Sequence, residues 1–108
     1  MGKFKVKTDA KGEFRFNLVA DNGQVILSSE GYTAKDGCMN GIESVRKNSQ
    51  DDARFERKEA SNGKVHFNLK AANGQVIGTS QMYADNSGME NGIASVAKNA
   101  PDAAIEEE

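Results

Sequence analysis

Asn22-Gly23-Gln24-Val25-Ile26 returns unchanged, 51 residues later, as Asn73-Gly74-Gln75-Val76-Ile77. Working outward from that match, Phe4–Arg54 aligns with Phe55–Ile105 without a gap, and 24 of the 51 positions are identical. A second dense stretch is Asn40-Gly41-Ile42, Ser44-Val45 and Lys47-Asn48 against Asn91-Gly92-Ile93, Ser95-Val96 and Lys98-Asn99. The chain is a tandem duplication. A unit of about 50 residues buries too little surface to be comfortable alone. The expectation is therefore one domain over residues 1–108, with copy one at 3–54, copy two at 55–105 and a shared core.

The hydrophobic period changes once within each copy. Phe14-Arg15-Phe16-Asn17-Leu18 and Val65-His66-Phe67-Asn68-Leu69 alternate as half-buried strands do. Asn22-Gly23 and Asn73-Gly74 then predict two-residue type I′ hairpins, pairing Ala20 with Val25 and Leu18 with Leu27. The preceding turns read as three-residue loops, Ala10-Lys11-Gly12 and Ser61-Asn62-Gly63. Only that register places Val6 opposite Phe16, Phe4 opposite Leu18 and Phe55 opposite Leu69. It also sets Arg57, the image of Val6, against Phe67. Beyond a snorkelling stem near a sheet edge, the pattern offers no account of that arginine.

After a third strand, Cys38, Ile42 and Val45 form a helical stripe, repeated as Met89, Ile93 and Val96. Thr33–Asp36 reads as an imperfect capping box, with Asp85 or Asn86 as the cap in copy two. Asn48 and Asn99 suit left-handed helix ends, and Pro101 stops continuation. Gly41 and Gly92, mid-helix beside the stripe, predict close approach of helix backbone to sheet.

Composition narrows the chemistry. One Cys and one His among 108 residues cannot build the usual zinc sites, and one Cys makes no internal disulfide. No cofactor or metal is expected. The net charge of −2 is the wrong field for general nucleic-acid binding. Gly31, Gly37 and Gly41 make neither a dinucleotide fingerprint nor a P-loop. The Lys-rich start lacks the apolar stretch of a signal peptide, Val6 stands where a myristoylation motif wants Ser or Thr, and no apolar run is long enough to span a bilayer. The reading is cytoplasmic, without a membrane. Ile105–Glu108 reads as a solvated acidic end.

Asn-Gly-Gln-Val-Ile, then Ser29-Glu30-Gly31-Tyr32, then Asn40–Asn48 resembles the YegP-like (UPF0339) repeat, found in small, mostly bacterial proteins of uncharacterised function. The likeness covers essentially residues 3–105, and copy two departs from it at Ser80–Tyr83. It implies an α+β fold: two β-β-β-α-β motifs merged into one antiparallel sheet, helices on one face, the last strand of each repeat exchanged onto the other. It implies no activity and brings no site residues.

Candidate sites follow from the strand and helix positions. His66 is the only imidazole, set by period on the face opposite Phe67 and Leu69; a solvent-facing strand residue is the plainer reading. Cys38 matches Met89 on the apolar stripe, as a buried hydrophobe would. Tyr32 and Tyr83, just before the helices, could cover a core edge while presenting a hydroxyl. Asn17 and Asn68 form a matched outward pair. If both helices cover one face, period two leaves Val19, Ile26 and Ile77 on the other, among Arg15, Asn17, Ser28, His66, Asn68, Lys70 and Thr79. A small apolar centre ringed by polar groups suits an interaction surface. Ile26→Glu with Ile77→Glu should then remove partner capture and spare the fold. The expected function is thus a non-catalytic, monomeric interaction module acting through its open sheet face on an unknown protein partner. The alternative is a binder of small molecules, or a minor enzyme, with a pocket near Tyr32 and Tyr83 or near His66. Such a pocket requires a concavity between the helices or at the repeat boundary.

Overall fold

A computed structural model describes residues 2–107. Copy one supplies β1 (Lys3–Thr8), β2 (Phe14–Val19), β3 (Val25–Ser28) and α1 (Lys35–Asn48). Copy two supplies β4 (Phe55–Glu59), β5 (Val65–Lys70), β6 (Val76–Thr79) and α2 (Asn86–Asn99), followed by β7 (Ala104–Glu107). The strands form one sheet in the order β4-β5-β6-β3-β2-β1-β7, and both helices lie on one face over a common core. The copies meet at its centre through Ser28↔Thr79, which are images of each other. A pseudo-two-fold axis passes between them.

The first hairpins have the expected register, with Val6↔Phe16, Phe4↔Leu18 and Phe55↔Leu69. The second hairpins do not use two-residue loops. Gly23 N donates to Ala20 O, and Ala20 N to Gln24 O, so the loop is Asp21-Asn22-Gly23; Ala72-Asn73-Gly74 repeats it. Asn22 Oδ1 accepts from Gln24 N at 3.0 Å, which holds the asparagine in an ordinary turn conformation. Only Gly23, at φ 85°, takes the left-handed position.

That longer loop would slip β3 by one residue, but a bulge restores the register. Val19 pairs with Val25, and Leu18 with Leu27, leaving Ile26 as the extra residue. Ile77 is its image between the Lys70↔Val76 and Leu69↔Gly78 pairs. A bulge re-aims its residue. Ile26 and Ile77 therefore join the core under the helices, 5% and 7% exposed, and are not on the open face. The expected apolar centre of that face loses two of its three members. Glutamate at these positions would strike the core.

The sheet is antiparallel except at one place. β7 lies parallel to β1, with Phe4↔Ile105 and Lys5↔Glu106. The acidic end is thus a paired strand through Glu107: Glu106 meets Lys3 at 3.1 Å and Lys5 at 3.9 Å, and Glu107 pairs with Lys35. Glu108 lies outside the described residues. Strand exchange is one-sided, because the chain after α1 runs directly into β4 and leaves β4 as the other outer strand.

The helix stripes are buried as expected, Cys38, Ile42 and Val45 beside Met89, Ile93 and Val96. Their ends differ from expectation. Asp85 caps α2 by accepting from Gly88 N at 2.8 Å, but Ala34 caps α1 without a side-chain bond. Asn48 and Asn99 are not left-handed. Each turns its amide back to Ser44 O or Ser95 O, at 2.9 and 2.8 Å; α2 runs directly into a 3-10 turn at Ala100–Asp102, whereas Ser49, Gln50 and Asp51 separate α1 from the one at Asp52–Arg54.

Arg57 finds its partners on the helix side. Its guanidinium meets Glu90 of α2 at 2.5 Å and Asp52 at 2.9 Å. The images of Arg57 and Glu90 are Val6 and Met39, so an ion pair on the free edge strand stands where copy one has two apolar residues. A charge there also discourages edge-to-edge association. The Arg57 guanidinium holds the Glu90 carboxyl below its usual range. Lys70, then Asn68, does the same for Glu56, and Arg15, then the Glu13 amide, for Asp9. A carboxyl depressed in the folded state contributes stability above its unfolded pKa, and that contribution disappears as pH falls through the folded value. We expect the melting temperature to be flat from neutral pH to about pH 5 and to drop below about pH 4. Glu90→Gln should make the drop shallower in thermal melts; an unchanged slope would remove this pair from the account.

Candidate functional site

The bulge that buries Ile26 brings it to Tyr83. The tip of the β2–β3 hairpin forms one wall of a cleft with Ala20, Asn22, Gln24 and Ile26. Copy two forms the other with Gln81, Tyr83, Gly88, Asn91, Gly92 and Ser95, enclosing about 240 Å³. A further hollow of about 360 Å³, sharing Ala20, Asn22, Asn91 and Ser95, continues along α2 to Lys98 and Asn99. On the other side of the axis, Ala71, Asn73, Gln75 and Ile77 face Glu30, Tyr32, Gly37, Asn40, Gly41 and Ser44 across about 270 Å³. These are two images of one site, each built from both copies.

Local structure explains how each tyrosine is held. Tyr32 exchanges two backbone hydrogen bonds with Phe14, both 2.7 Å, and Tyr83 does so with Val65 at 2.9 and 2.7 Å. The Tyr32 ring then stacks on Phe16, centroids 6.3 Å apart, and Tyr83 on Phe67 at 6.4 Å. Each hydroxyl lies over a helix glycine. A Cβ on Gly41 would stand 2.5 Å from the Tyr32 hydroxyl and 3.1 Å from Phe16, and one on Gly92 would strike the Tyr83 hydroxyl. The glycines thus make room for tyrosine rings, not for sheet backbone as expected. Neither hydroxyl has a protein partner among the described residues. Burial pushes the Tyr32 phenol up, keeping it a neutral donor.

Apart from Glu30, the remaining polar lining is neutral. Asn22, Gln24 and Asn91, or Asn73, Gln75 and Asn40, offer carboxamides, and Ser95 or Ser44 a hydroxyl. No cysteine or histidine lines either cleft, and Glu30 is the one carboxylate. Among the described residues no group of three His, Cys, Asp or Glu could hold a metal ion. Such an arrangement can bind and orient a ligand. It has no nucleophile beside a base.

The other candidates lie elsewhere. His66 is on the open face, opposite Lys58 on β4, with its Nδ1 shut from solvent and unpartnered. Asn68 is consumed by a network, donating to Glu56 at 3.2 Å and accepting from Thr79 at 2.9 Å. Asn17 sits between Lys5 and Ser28, without that network. Cys38 is fully buried, and burial raises its thiol pKa. Asn40, Asn91, Gln24, Gln75, Ser44 and Ser95 escaped the sequence reading, although a signal existed. They are polar, partly or fully exposed, and the same in both copies.

Comparison with known proteins places this arrangement. A profile described as a domain of unknown function, DUF1508, matches residues 9–56 and again 60–107. The chain belongs to the DUF1508 family. Its two matches each run from a second strand to the strand after the helix. Among its relatives, a "UPF0339 protein in ptx operon 5'region" of Stutzerimonas stutzeri is 57% identical over 106 residues, 98% of this chain and 96% of that one. The UPF0339 protein YegP of Escherichia coli K12 is 54% identical over 98 residues, 91% of this chain and 89% of that one. The solution structure of the E. coli yegP protein, described as of unknown function, superposes with a TM-score of 0.95 at 50% identity, covering 99% of this chain and 92% of that one. A UPF0339 protein from Shewanella oneidensis gives a TM-score of 0.93 at 49% identity, covering 98% and 90%. The α+β fold of two DUF1508 repeats is thereby shown, and no catalytic activity is named for these relatives.

Proposed function

We propose that this DUF1508 protein is a non-catalytic binding module of the cytoplasm, monomeric, with two equivalent clefts for a small, uncharged, polar ligand. One observation carries the reading. Of the ten residues lining the Tyr83 cleft, nine have an identical image in the Tyr32 cleft, Gln81 and Glu30 being the exception. Over the whole alignment fewer than half the positions, 24 of 51, are identical. Packing alone accounts for the shared tyrosine, glycine and alanine. Exposed Asn40, Asn91, Gln24 and Gln75 serve no packing need and still agree. A lining of carboxamides and hydroxyls satisfies a ligand rich in both donors and acceptors, and Ile26 or Ile77 supplies an apolar contact.

This reading moves the binding surface from the open sheet face to the repeat boundary. The open face, without Ile26 and Ile77, presents Lys, Arg, Asn and Glu side chains tied largely to one another. Equilibrium dialysis of the full chain against a metabolite extract, read by mass spectrometry, tests the proposal. Enrichment of a neutral polar compound, at up to two per chain, is expected, and Asn40→Ala with Asn91→Ala should remove it. Enrichment that survives this double variant would return the binding surface to the sheet.

A further inference from the structure

The two halves differ where a helix passes the first strand of its own copy. In the first half Arg46 reaches from α1 over Phe4, its guanidinium carbon 5.5 Å from the ring centroid. It donates to the Ala103 carbonyl at 2.7 Å and pairs with Glu43. In the second half the images of Arg46 and Glu43 are Ala97 and Ala94. The space Arg46 occupies is left open there. It forms a pocket of about 260 Å³ lined by Phe55, Ala94, Ala97, Asp52 and Glu90, and by Gln50, whose Nε2 donates to the Ala97 carbonyl at 2.9 Å.

We propose that this pocket is a binding site for a guanidinium group carried by a ligand. The molecule itself shows what the space accepts, since Arg46 fills its image by stacking on a phenylalanine. A planar, weakly hydrated guanidinium suits that stacking better than an ammonium does. Asp52, the image of Ala103 in sequence, lines the pocket and carries a carboxylate. Asp52 and Glu90 together bring two negative charges and share the single cation of Arg57. The rim therefore keeps a net negative charge for an incoming cation. The site also opens beside β4, an outer strand, whereas β7 covers its image β1. A peptide arginine or a small guanidino compound could both supply the group.

Titration of the ¹⁵N-labelled full chain with arginine amide, with capped Ala-Arg-Ala and with its citrulline counterpart tests the site. Saturable shifts at Asp52, Phe55 and Ala97 are expected with the arginine probes, and at least tenfold weaker binding with citrulline. Equal binding of arginine amide and peptide points to a small ligand, and preference for the peptide to a polypeptide. Ala97→Arg should fill the pocket from within, as Arg46 does, and abolish the shifts without lowering the melting temperature. If that variant does not fold, Asp52→Asn with Glu90→Gln should weaken binding at least tenfold. Shifts that are absent or lie elsewhere, equal binding of citrulline, or undiminished binding to the variants would overturn the assignment.

Discussion

Gly78→Leu should destabilise the protein by about 3 kcal/mol, and a second change at Leu27 should recover most of the loss. Gly78 is the image of Leu27, next to Ser28↔Thr79 on the pseudo-two-fold axis. A Cβ on Gly78 would lie 2.7 Å from both Cγ and Cδ2 of Leu27, a side chain with no solvent exposure. Two leucines cannot share that space. Leu27→Gly alone leaves a cavity and should also cost about 3–5 kcal/mol. The exchange Leu27→Gly with Gly78→Leu moves the same side chain to the other side of the axis, so its loss should be well below the sum of the two single losses. For a domain of this size each kcal/mol moves the melting temperature by about 4–8 °C, so calorimetry separates the cases. An exchange variant as unstable as the sum of its parts would refute the axial pairing.

Gly92→Leu is the second large effect, again about 3 kcal/mol or more. Helix propensity alone favours the substitution by nearly 1 kcal/mol. The new side chain would meet the Tyr83 hydroxyl, with Cζ at 2.7 Å and Phe67 Cε2 at 3.2 Å. A raised melting temperature would sink the claim that Tyr83 dictates this glycine. In a Tyr83→Ala background the ring is gone, and Gly92→Leu should cost far less. This coupling, read by a double-mutant cycle, distinguishes a tyrosine seat from a general intolerance of side chains at the helix–sheet contact.

Much of this fold was legible because the repeat displays its own periodicity twice. The first hairpins, the helix stripes and the inward Phe residues follow from period and register alone. Ile26 and Ile77 depart from period two for a definable reason. Period two holds only along an unbroken ladder, and the loop-plus-bulge combination adds one residue to each side of the count. The net register is unchanged, so Leu18 pairs with Leu27 as period two predicts, while Ile26 changes faces. Arg57 was opaque because its partners, Asp52 and Glu90, lie respectively before its strand and 33 residues after it. The clefts were half visible: Tyr32 and Tyr83 stood out as aromatic pairs. Asn40, Gln24 and Ser44 looked like ordinary surface until the cross-copy packing placed them together.

The Leu27–Gly78 contact also bears on the history of the chain. Each helix lies against a strand of the other copy, α1 on β6 and α2 on β3, much as the subunits of an intertwined dimer would. In a dimer of one-copy chains those contacts would form between molecules, and stability would fall with dilution. The segment Ser49–Arg54 holds the copies together at a fixed effective concentration, of order millimolar for so short a tether. Fusion removes a second constraint as well. A homodimer must place the same residue on both sides of its axis, so leucine would face leucine. Only after the two genes became one could the axis hold a leucine and the gap that receives it.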